Sequence, residues 1–443
     1  MKRWKKFATP IVFTLIFVAG LIPGLGMLMS NPGIAYTPDS AEYLAGAGDI
    51  ASHGLAVLFN PPVHPEFTPG VLWFVRPPVY PALLALIKSL PLLSTEAWNF
   101  VILWAMTVLG VLALHLFLKR NGGGAWVPVI VLPIISLAWA TSIMSDNTFL
   151  LANALFLVAF LWFTERPGWL RALLVITLGI LASFTKPVGA FTCILVGLAG
   201  LMDRKARWLS LAITGALVAV VALWSCRNNA LYGRFLPSQV ADTNMAFFNY
   251  PALLARENGA NEWGIRDSMM RDFGQEVSDR GIASDDRAKT ALLAEKAREA
   301  TRYIMRKPLD YALCHLGYLP RVFGSMNLPI MRGKGPRPVE RPPGHRGPAH
   351  GPPGGVSPAG AVNVAARAAC FLLAILGVGF WWRRKKAQAI ALVVGTLWLV
   401  MSMGPAGDDR TSLPALVFAS VLAQGGWLTL RDWAGRAFKQ GQG

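Results

Sequence analysis

Ionisable residues that could carry out chemistry gather just after the first apolar segment of the chain. Three acids of residues 36–76 and the arginine that ends this stretch are candidates: Asp39, Glu42, Asp49 and Arg76. A carboxylate can take the proton of an attacking hydroxyl, and an arginine can bind a phosphate through two parallel hydrogen bonds. Because charges near a bilayer are costly, their concentration at the end of an apolar segment indicates a binding or catalytic site.

These residues also have structural interpretations, which the sequence leaves open. Asp39-Ser40-Ala41-Glu42 has the spacing of a capping box, in which Asp39 would only begin a helix. Arg76 precedes two prolines, which are typical of a first helical turn, and could contact the headgroups of bulk lipid. Asp49 lies further along the same predicted helix and is expected to face solvent.

Charged residues from distant parts of the chain are predicted to reach the same membrane face. They follow or precede apolar runs, and four are candidates for the same site: Asp146, Lys186, Arg227 and Arg410. Each has a structural alternative. Asp146 could cap a helix or lie in a loop, and Lys186 could extend toward the headgroups. Arg227 could anchor a span at the interface, and Arg410 could be a loop residue.

The composition is that of a polytopic membrane protein. Of the 443 residues, 54% are hydrophobic, and several apolar runs approach the roughly 20 residues that a spanning helix needs. In a soluble protein, the formal net charge of +18 would point toward a nucleic-acid partner. Here most basic clusters flank apolar runs, so positively charged cytoplasmic loops explain the charge, and no nucleic-acid partner is expected.

The loop charges predict ten spans with both termini in the cytoplasm. Residues 78–93 are apolar but short, contain prolines and include Lys88. If they spanned, the cluster Lys119-Arg120 would lie outside. A helix lying along the outer face instead leaves this cluster, and those in the later short loops and at the C-terminus, inside, while the basic linker lies outside. The predicted spans are 8–29, 97–118, 124–142, 147–164, 170–185, 188–202, 208–225, 361–381, 388–404 and 412–430.

This assignment divides the chain into four regions. They are an N-terminal membrane module, an extracytoplasmic segment, a basic linker and the C-terminal membrane helices, at 1–225, 226–328, 329–360 and 361–443. The first outer loop, 31–96, carries the candidate site. In the extracytoplasmic segment, a helix is predicted from a Ser284 cap to Arg306. The linker is rich in proline and glycine and is expected to be extended and dispensable for folding.

Signatures of several common enzyme classes are absent from the sequence. It contains no P-loop, no dinucleotide-binding glycine motif, no HExxH and no GxSxG. The cysteine spacing indicates no zinc site. His53 and His64 in the first outer loop could assist a metal or an acceptor, but we expect them to be solvated. The sequence therefore gives no indication of these enzyme classes.

The order of the candidate residues resembles the GT-C superfamily of polyprenyl-phosphate-dependent glycosyltransferases. Within it, the group that is most similar contains the protein O-mannosyltransferases and aminoarabinose transferases (family 39-like), over residues 8–330 and 361–430. The similar motifs are Asp39, Arg76-Pro-Pro-Val-Tyr-Pro81, Ser145-Asp146, Thr185-Lys186-Pro187, Trp224-x-x-Arg227-Asn228 and Arg410-x-x-x-Pro414. In the mannosyltransferases an acid commonly stands where this chain has Ser40, and a tyrosine where it has Thr411.

The resemblance implies an all-α polytopic hexosyl- or pentosyltransferase of the bacterial inner membrane, with an extracytoplasmic active site. The donor would be a polyprenyl-phosphate-linked sugar, and the acceptor a glycan, a lipid or a protein, with membrane lipids as further partners. Asp39 would be the catalytic base, and Asp146 and Glu42 would be associated with the acceptor or with a divalent metal, which the sequence leaves open. Four basic residues would bind the donor phosphate: Arg76, Lys186, Arg227 and Arg410.

Two other classes of function are weighed beside this one. A transporter or lipid flippase commonly carries charged residues within its spans and related halves, and the sequence offers no convincing example of either. A membrane scaffold could bind anionic glycans through the basic stretch 332–360. A lipid-phosphate groove beside Asp39 and Arg76 would favour the glycosyltransferase.

Overall fold

The computed structural model describes residues 2–120, 125–319, 323, 358–402, 404–406 and 412–440. Within these residues the regular structure is helical, without a strand. Arg410 and residues 332–357 of the basic linker lie outside them. The predictions made for that arginine and that segment therefore remain predictions from the sequence.

The helices follow one another through short connections. The first nine are α1 Lys2–Ser30, α2 Ser40–His53, α3 Leu72–Val75, α4 Val79–Lys88, α5 Thr95–Arg120, α6 Trp126–Ala140, α7 Asp146–Glu165, α8 Trp169–Ser183 and α9 Pro187–Ala199. The others are α10 Arg207–Tyr232, α11 Val240–Asn244, α12 Tyr250–Asn258, α13 Glu262–Asp279, α14 Asp286–Met305, α15 Pro308–Gly317, α16 Pro358–Arg384, α17 Lys386–Met401 and α18 Leu413–Gln440.

The described chain contains a helix at each predicted span. Six helices are long and apolar enough to cross a membrane, namely α1, α5, α7, α10, α16 and α18. The shorter apolar helices α6, α8, α9 and α17 occupy the other four positions. With 10 residues, or about 15 Å, α4 is too short for a hydrocarbon core of about 30 Å. The prediction of an all-α polytopic membrane protein is confirmed.

Helix α7 lies at the centre of the bundle. It packs against α5, α8 and α18, and most of its side chains are buried, with Phe149, Phe156 and Phe160 among the largest. Such burial on nearly every side is expected for an apolar helix surrounded by others. Its 20 residues extend over about 30 Å, so Asp146 and Thr164 lie at opposite ends of the bundle.

The loops with basic clusters collect at one of these ends. The Lys385 ammonium lies 3.6 Å from a carboxylate oxygen of Asp203 and donates a hydrogen bond to the Thr164 carbonyl. Helices α7 and α17 therefore run in opposite directions from neighbouring loops. This grouping of loops is the one that the predicted topology requires, and it leaves the candidate acids at the other end.

Helices α11–α15 form a small unit beside the bundle. Two apolar clusters hold it together, one around Phe247 and one around Leu253. Helix α14 begins slightly later than predicted, because Asp285 rather than Ser284 is its N-cap. The Asp285 carboxylate accepts hydrogen bonds from two backbone amides, which is the stabilising contact of a helix cap.

Candidate active site

Helix α2 places Asp39 and Glu42 on one face, because residues three apart are neighbours on a helix. Asp39 stands at the N-cap, but its side chain makes no capping hydrogen bond. The Ser40 hydroxyl makes hydrogen bonds at this helix start instead: it accepts from the Thr37 amide at 2.8 Å and donates to the Ile143 carbonyl at 3.0 Å. Asp39 and Glu42 therefore do not form a capping box, and both carboxylates make other contacts.

Both carboxylates pair with Arg76. Its Nη2 lies 2.9 Å from Asp39 Oδ1, and its Nε donates to Glu42 Oε2 at 2.6 Å. Arg76 has an extended backbone, as expected of a residue before proline, and this conformation precedes the turn into α4. Burial lowers the pKa of Arg76, but the negative charges of Asp39 and Glu42 and the hydrogen bond to Glu42 outweigh it and raise that pKa, so the guanidinium stays charged.

Tyr43 connects this cluster to the next helices. Its ring lies under the Arg76 guanidinium, 4.9 Å from Cζ to the ring centroid. Its hydroxyl lies 2.8 Å from the hydroxyl of Ser145, the residue just before α7. The ring also packs edge-on against Tyr80 of α4, at 4.8 Å between centroids. The arginine therefore rests on a buried aromatic pair.

The second charged pair consists of Asp146 and Lys186. Asp146 is the first residue of α7 and is 0% exposed, and its Oδ1 lies 2.5 Å from the Lys186 ammonium. Its other oxygen has no hydrogen-bond partner among the described residues. The hairpin tip that carries Lys186 reaches the Arg76 region, because the Phe184 carbonyl accepts from the Val79 amide at 3.1 Å. Burial explains why this lysine is paired rather than extended toward solvent.

The expectation that Asp49 faces solvent is wrong. Its side chain is largely buried, and Oδ2 accepts from Trp73 Nε1 at 2.8 Å and lies 2.9 Å from His64 Nε2. The other ring nitrogen of His64 lies 3.0 Å from Glu66 Oε1. The first outer loop folds back over α2, which periodicity along the helix could not reveal. His64 is consequently part of a charged cluster and not simply a solvated loop residue.

Arg227 is used to hold this loop in place. Its Nε donates to the Leu58 carbonyl at 2.6 Å, and its Nη1 donates to the Trp73 carbonyl at 3.1 Å. The guanidinium stacks on Trp224 and Tyr232, while its Nη2 has no hydrogen-bond partner among the described residues. Arg227 therefore lies near the candidate site, with two of its nitrogens bound to main-chain oxygens. Its predicted contact with the donor phosphate remains a prediction.

Gln239 connects the small helical unit to the loop before Arg76. Its amide oxygen accepts from the Val71 amide at 2.8 Å, and its backbone nitrogen donates to the Phe74 carbonyl at 3.1 Å. Its side-chain nitrogen donates to the hydroxyl of Thr290 on α14 at 3.3 Å. Gln239 is fully buried, so these contacts are shielded from water. No motif in the sequence distinguishes this glutamine.

A buried arginine within an apolar span was also not predicted from the sequence. Arg367 of α16 is fully buried, and it donates from Nε to Asn363 at 2.7 Å and from Nη1 to Ser412. Ser412 lies just before α18, which begins at the end of the bundle opposite Lys385. Arg367 therefore lies toward the end that carries the acids and not at mid-span. The four-residue spacing of Asn363 and Arg367 is the only sequence signal for this contact.

An apolar cleft adjoins the candidate site. It is shallow and is lined by Pro77, Ser183, Phe184, Pro187, Ala190, Val220, Val221, Trp224 and Pro237. Pro77 follows Arg76 directly, and Phe184 belongs to the hairpin tip that carries Lys186. An apolar cleft thus opens next to the charged cluster, within the group of helices α8, α9 and α10.

The structure therefore brings together five of the predicted site residues in two neighbouring ion-paired groups: Asp39, Glu42, Arg76, Asp146 and Lys186. Three acids and two bases leave one net negative charge. In the described ranges, no three His, Cys, Asp or Glu side chains are arranged to hold a metal ion. Asp39 and Glu42 are instead arranged to bind a guanidinium.

Comparison with known proteins identifies no family for the chain. Neither a protein-family model nor a curated protein matches it. Among solved structures, the chain is similar to the crystal structure of the Archaeoglobus fulgidus oligosaccharyltransferase in its apo form, with a TM-score of 0.47 and 15% sequence identity. The alignment covers 100% of this chain and 53% of that one, so the chain spans about half the length of this structure. A likeness at this level does not establish a family or an activity.

Proposed function

We propose that the protein is an inverting glycosyltransferase that moves a sugar from a polyprenyl phosphate to an acceptor on the extracytoplasmic side. The observation that carries the proposal is the pairing of Asp39 and Glu42 with Arg76 at one end of the membrane bundle. A carboxylate and a phosphate-binding cation are the two groups that this reaction needs close together.

The chemistry assigns separate roles to the two groups. The acceptor hydroxyl attacks the anomeric carbon, and Asp39 takes the hydroxyl proton. The bond between that carbon and the phosphate oxygen breaks, and its electron pair stays on the phosphate. Arg76 stabilises the charge that develops there, as preorganised donors do at the position where charge appears in a transition state. A single displacement inverts the configuration at the sugar carbon.

The surroundings of the ion pairs support a lipid-linked donor. In this proposal the first isoprene units of the polyprenyl chain lie against the apolar surface beside Pro77, next to the hairpin tip that carries Lys186. Because the site already carries a net negative charge, a phosphodiester needs additional positive charge there. In this proposal Arg410 provides it, and Glu42 and Asp146 hold Arg76 and Lys186 in position.

A transporter or flippase is the alternative, and Arg367 is the residue that would favour it. A charge within a span is costly and usually functional. However, Arg367 contacts Ser412 at the start of α18 and therefore lies toward one end of the bundle. It supplies no charge at mid-span along a transport path.

The test is turnover of a defined donor by the purified, full-length protein in lipid nanodiscs. The probes are undecaprenyl phosphates carrying a hexose or a pentose, water or an added hydroxyl-bearing acceptor receives the sugar, and the readout is release of undecaprenyl phosphate. A positioned base typically contributes about 10²–10⁴-fold, so Asp39→Asn should lose at least about 100-fold in rate. Donor binding should persist, because Arg76 retains Glu42 as a partner.

A matched control uses the exposed Asp272 of α13, and Asp272→Asn should retain the wild-type rate. Near-normal release by a folded Asp39→Asn protein would show that Asp39 is not the base. Absence of release by the wild-type protein from every donor, together with vectorial movement of the intact donor across vesicles, would favour the transporter.

A further inference from the structure

Helix α15 presents an apolar stripe to its surroundings. Leu309, Leu313 and Leu316 are spaced at i, i+4 and i+7, and they are 70%, 43% and 48% exposed. This spacing places them on one helical face. Cys314, on the opposite face, is buried in the cluster around Leu253. The helix is therefore packed on one side and leaves its leucines uncovered by the described residues on the other.

The contacts of α15 with the bundle fix the level of this stripe. His315 Nε2 lies 2.8 Å from the carbonyl oxygen of Met401, the last residue of α17. Gly404, just beyond, approaches the His315 ring so closely that a Cβ there would clash with it. Helix α17 starts beside Lys385 at the opposite end of the bundle. Met401, the last residue of α17, therefore marks the level at which this apolar helix reaches the membrane surface. Helix α15 lies at that level.

Charged side chains of both signs lie near the stripe, and Asp310 of α15 itself is exposed. Arg302 and Arg306 are exposed at the end of α14, immediately before α15. Lys307 is already paired with Glu257 at 2.9 Å. An amphipathic helix that lies at membrane level and directly follows two exposed arginines has the properties of a segment that binds an anionic lipid surface, since these two positive charges outnumber the one negative charge of Asp310.

We propose that α15 docks into the membrane leaflet on the side of the candidate site. Leu309, Leu313 and Leu316 enter the boundary between headgroups and acyl chains, and Arg302 and Arg306 contact anionic lipid phosphates. Interfacial helices bury their apolar face about 5–10 Å into this region. The occupant of the exposed face is thus the bilayer itself.

Docking would restrain the helical unit that closes over the loop before Arg76. Helix α15 packs against α12 and α14, and α14 is linked through Thr290 to Gln239. Gln239 in turn holds the backbone at Val71 and Phe74. A membrane-anchored α15 would therefore limit the movement of this unit relative to the membrane.

The experiment measures the depth of a fluorescent label on the full-length protein in vesicles. Cys226 is the exposed native cysteine and is replaced by Ser, after which bimane is attached to Leu313→Cys or, as a control, to Ser278→Cys on α13. Lipids with a spin label near the top of the acyl chain quench a docked fluorophore. We expect strong quenching at 313 and little at 278. Equal, weak quenching at both positions would overturn the proposal.

The lipid headgroup is tested with the same label. Phosphatidylcholine vesicles with and without phosphatidylglycerol are compared, and Arg302→Gln and Arg306→Gln are combined. Each arginine should change the ratio of docked to undocked helix about fivefold in the anionic vesicles. The control Arg271→Gln, on the exposed side of α13, should have no effect. Unchanged quenching in the double variant would refute the anionic contact. If the label at position 313 is unquenched in the full-length protein and becomes quenched once residues 332–357 are removed, the chain itself covers the stripe and the proposal is wrong.

Discussion

At the scale of single residues, Arg76 organises the candidate site by pairing with two acids at once. Its Nε and Nη2 bind Glu42 and Asp39, and its plane lies over Tyr43. A base must be ionised to accept a proton, and a neighbouring guanidinium favours the ionised form of a carboxylate. The same charge is available to a phosphate. The arginine thus links the two halves of the proposed reaction.

This geometry predicts that Arg76→Lys will not replace the arginine. A lysine has one nitrogen and no planar fork, so it cannot bind both acids and lie flat on Tyr43. Losing a charge-assisted contact costs about 1.5–3 kcal/mol, so affinity for undecaprenyl phosphate should fall about 10–100-fold. The measurement is titration of the purified variant with this lipid, with its folding checked by gel filtration.

Arg271→Lys, at an exposed position of α13, is the matched control and should bind as the wild type does. A second variant separates phosphate binding from loss of the ion pairs. Glu42→Gln removes one partner of Arg76 while leaving the guanidinium in place, and it should weaken binding less than Arg76→Lys. If Arg76→Lys binds the lipid normally, Arg76 serves only to neutralise the acids.

At the scale of elements, the first outer loop is held on α2 by a charged histidine. Both ring nitrogens of His64 face carboxylate oxygens, of Asp49 and of Glu66, so both must donate when the acids are ionised. Burial lowers the pKa of His64, but the hydrogen bonds to Asp49 and Glu66 outweigh it, and the pKa is raised above 6.5. Lys289 adds a positive charge near Glu66.

This arrangement predicts that the loop loosens as the pH rises. A raised pKa in the folded state means that the stabilisation is complete below about pH 6.5 and is lost as the pH passes the folded-state value. Hydrogen exchange of residues 54–70, corrected for its intrinsic pH dependence, should show less protection at about pH 8 than at about pH 6. In His64→Gln this difference should disappear, whereas His53→Gln should retain it. Equal pH dependence in wild type and His64→Gln would rule out this role.

The same loop shows how far the sequence predicts the site. The acids of α2, the arginine before two prolines and the hairpin-tip lysine are recognisable because each stands next to a local signal, such as a helix start or the end of an apolar run. Asp49 contacts His64 and Trp73, which lie 15 and 24 positions away, and Arg227 contacts the Trp73 carbonyl, 154 positions away. Local patterns cannot encode contacts at such separations, and they are therefore found only in the folded chain.

At the scale of the whole molecule, the bundle separates two kinds of ionisable groups. Basic loops lie at one end, as the contact of Lys385 with Asp203 shows, and the ion-paired acids lie at the other. The small helical unit α11–α15 extends from the second end, and Gln239 joins it to the loop before Arg76. The positions of the spans were predictable from apolar length and loop charge, because both are properties of the sequence itself. The packing of this unit was not, since it rests on scattered apolar contacts.

This separation leads to a prediction for the orientation in the membrane. Positively charged loops remain in the cytoplasm, so Lys119 and Arg383 should lie inside and the candidate site outside. In a Cys226→Ser background, cysteines at 119 and 383 should resist a membrane-impermeant maleimide in intact cells and react after permeabilisation. Ser278→Cys, at an exposed position of α13, should react in intact cells. Labelling of position 119 from outside would mean that α4 or a neighbouring segment crosses the membrane. Because α4 is about 15 Å long, that result would require a different arrangement of residues 31–96 and would remove Arg76 from the headgroup level on which the proposed phosphate contact depends.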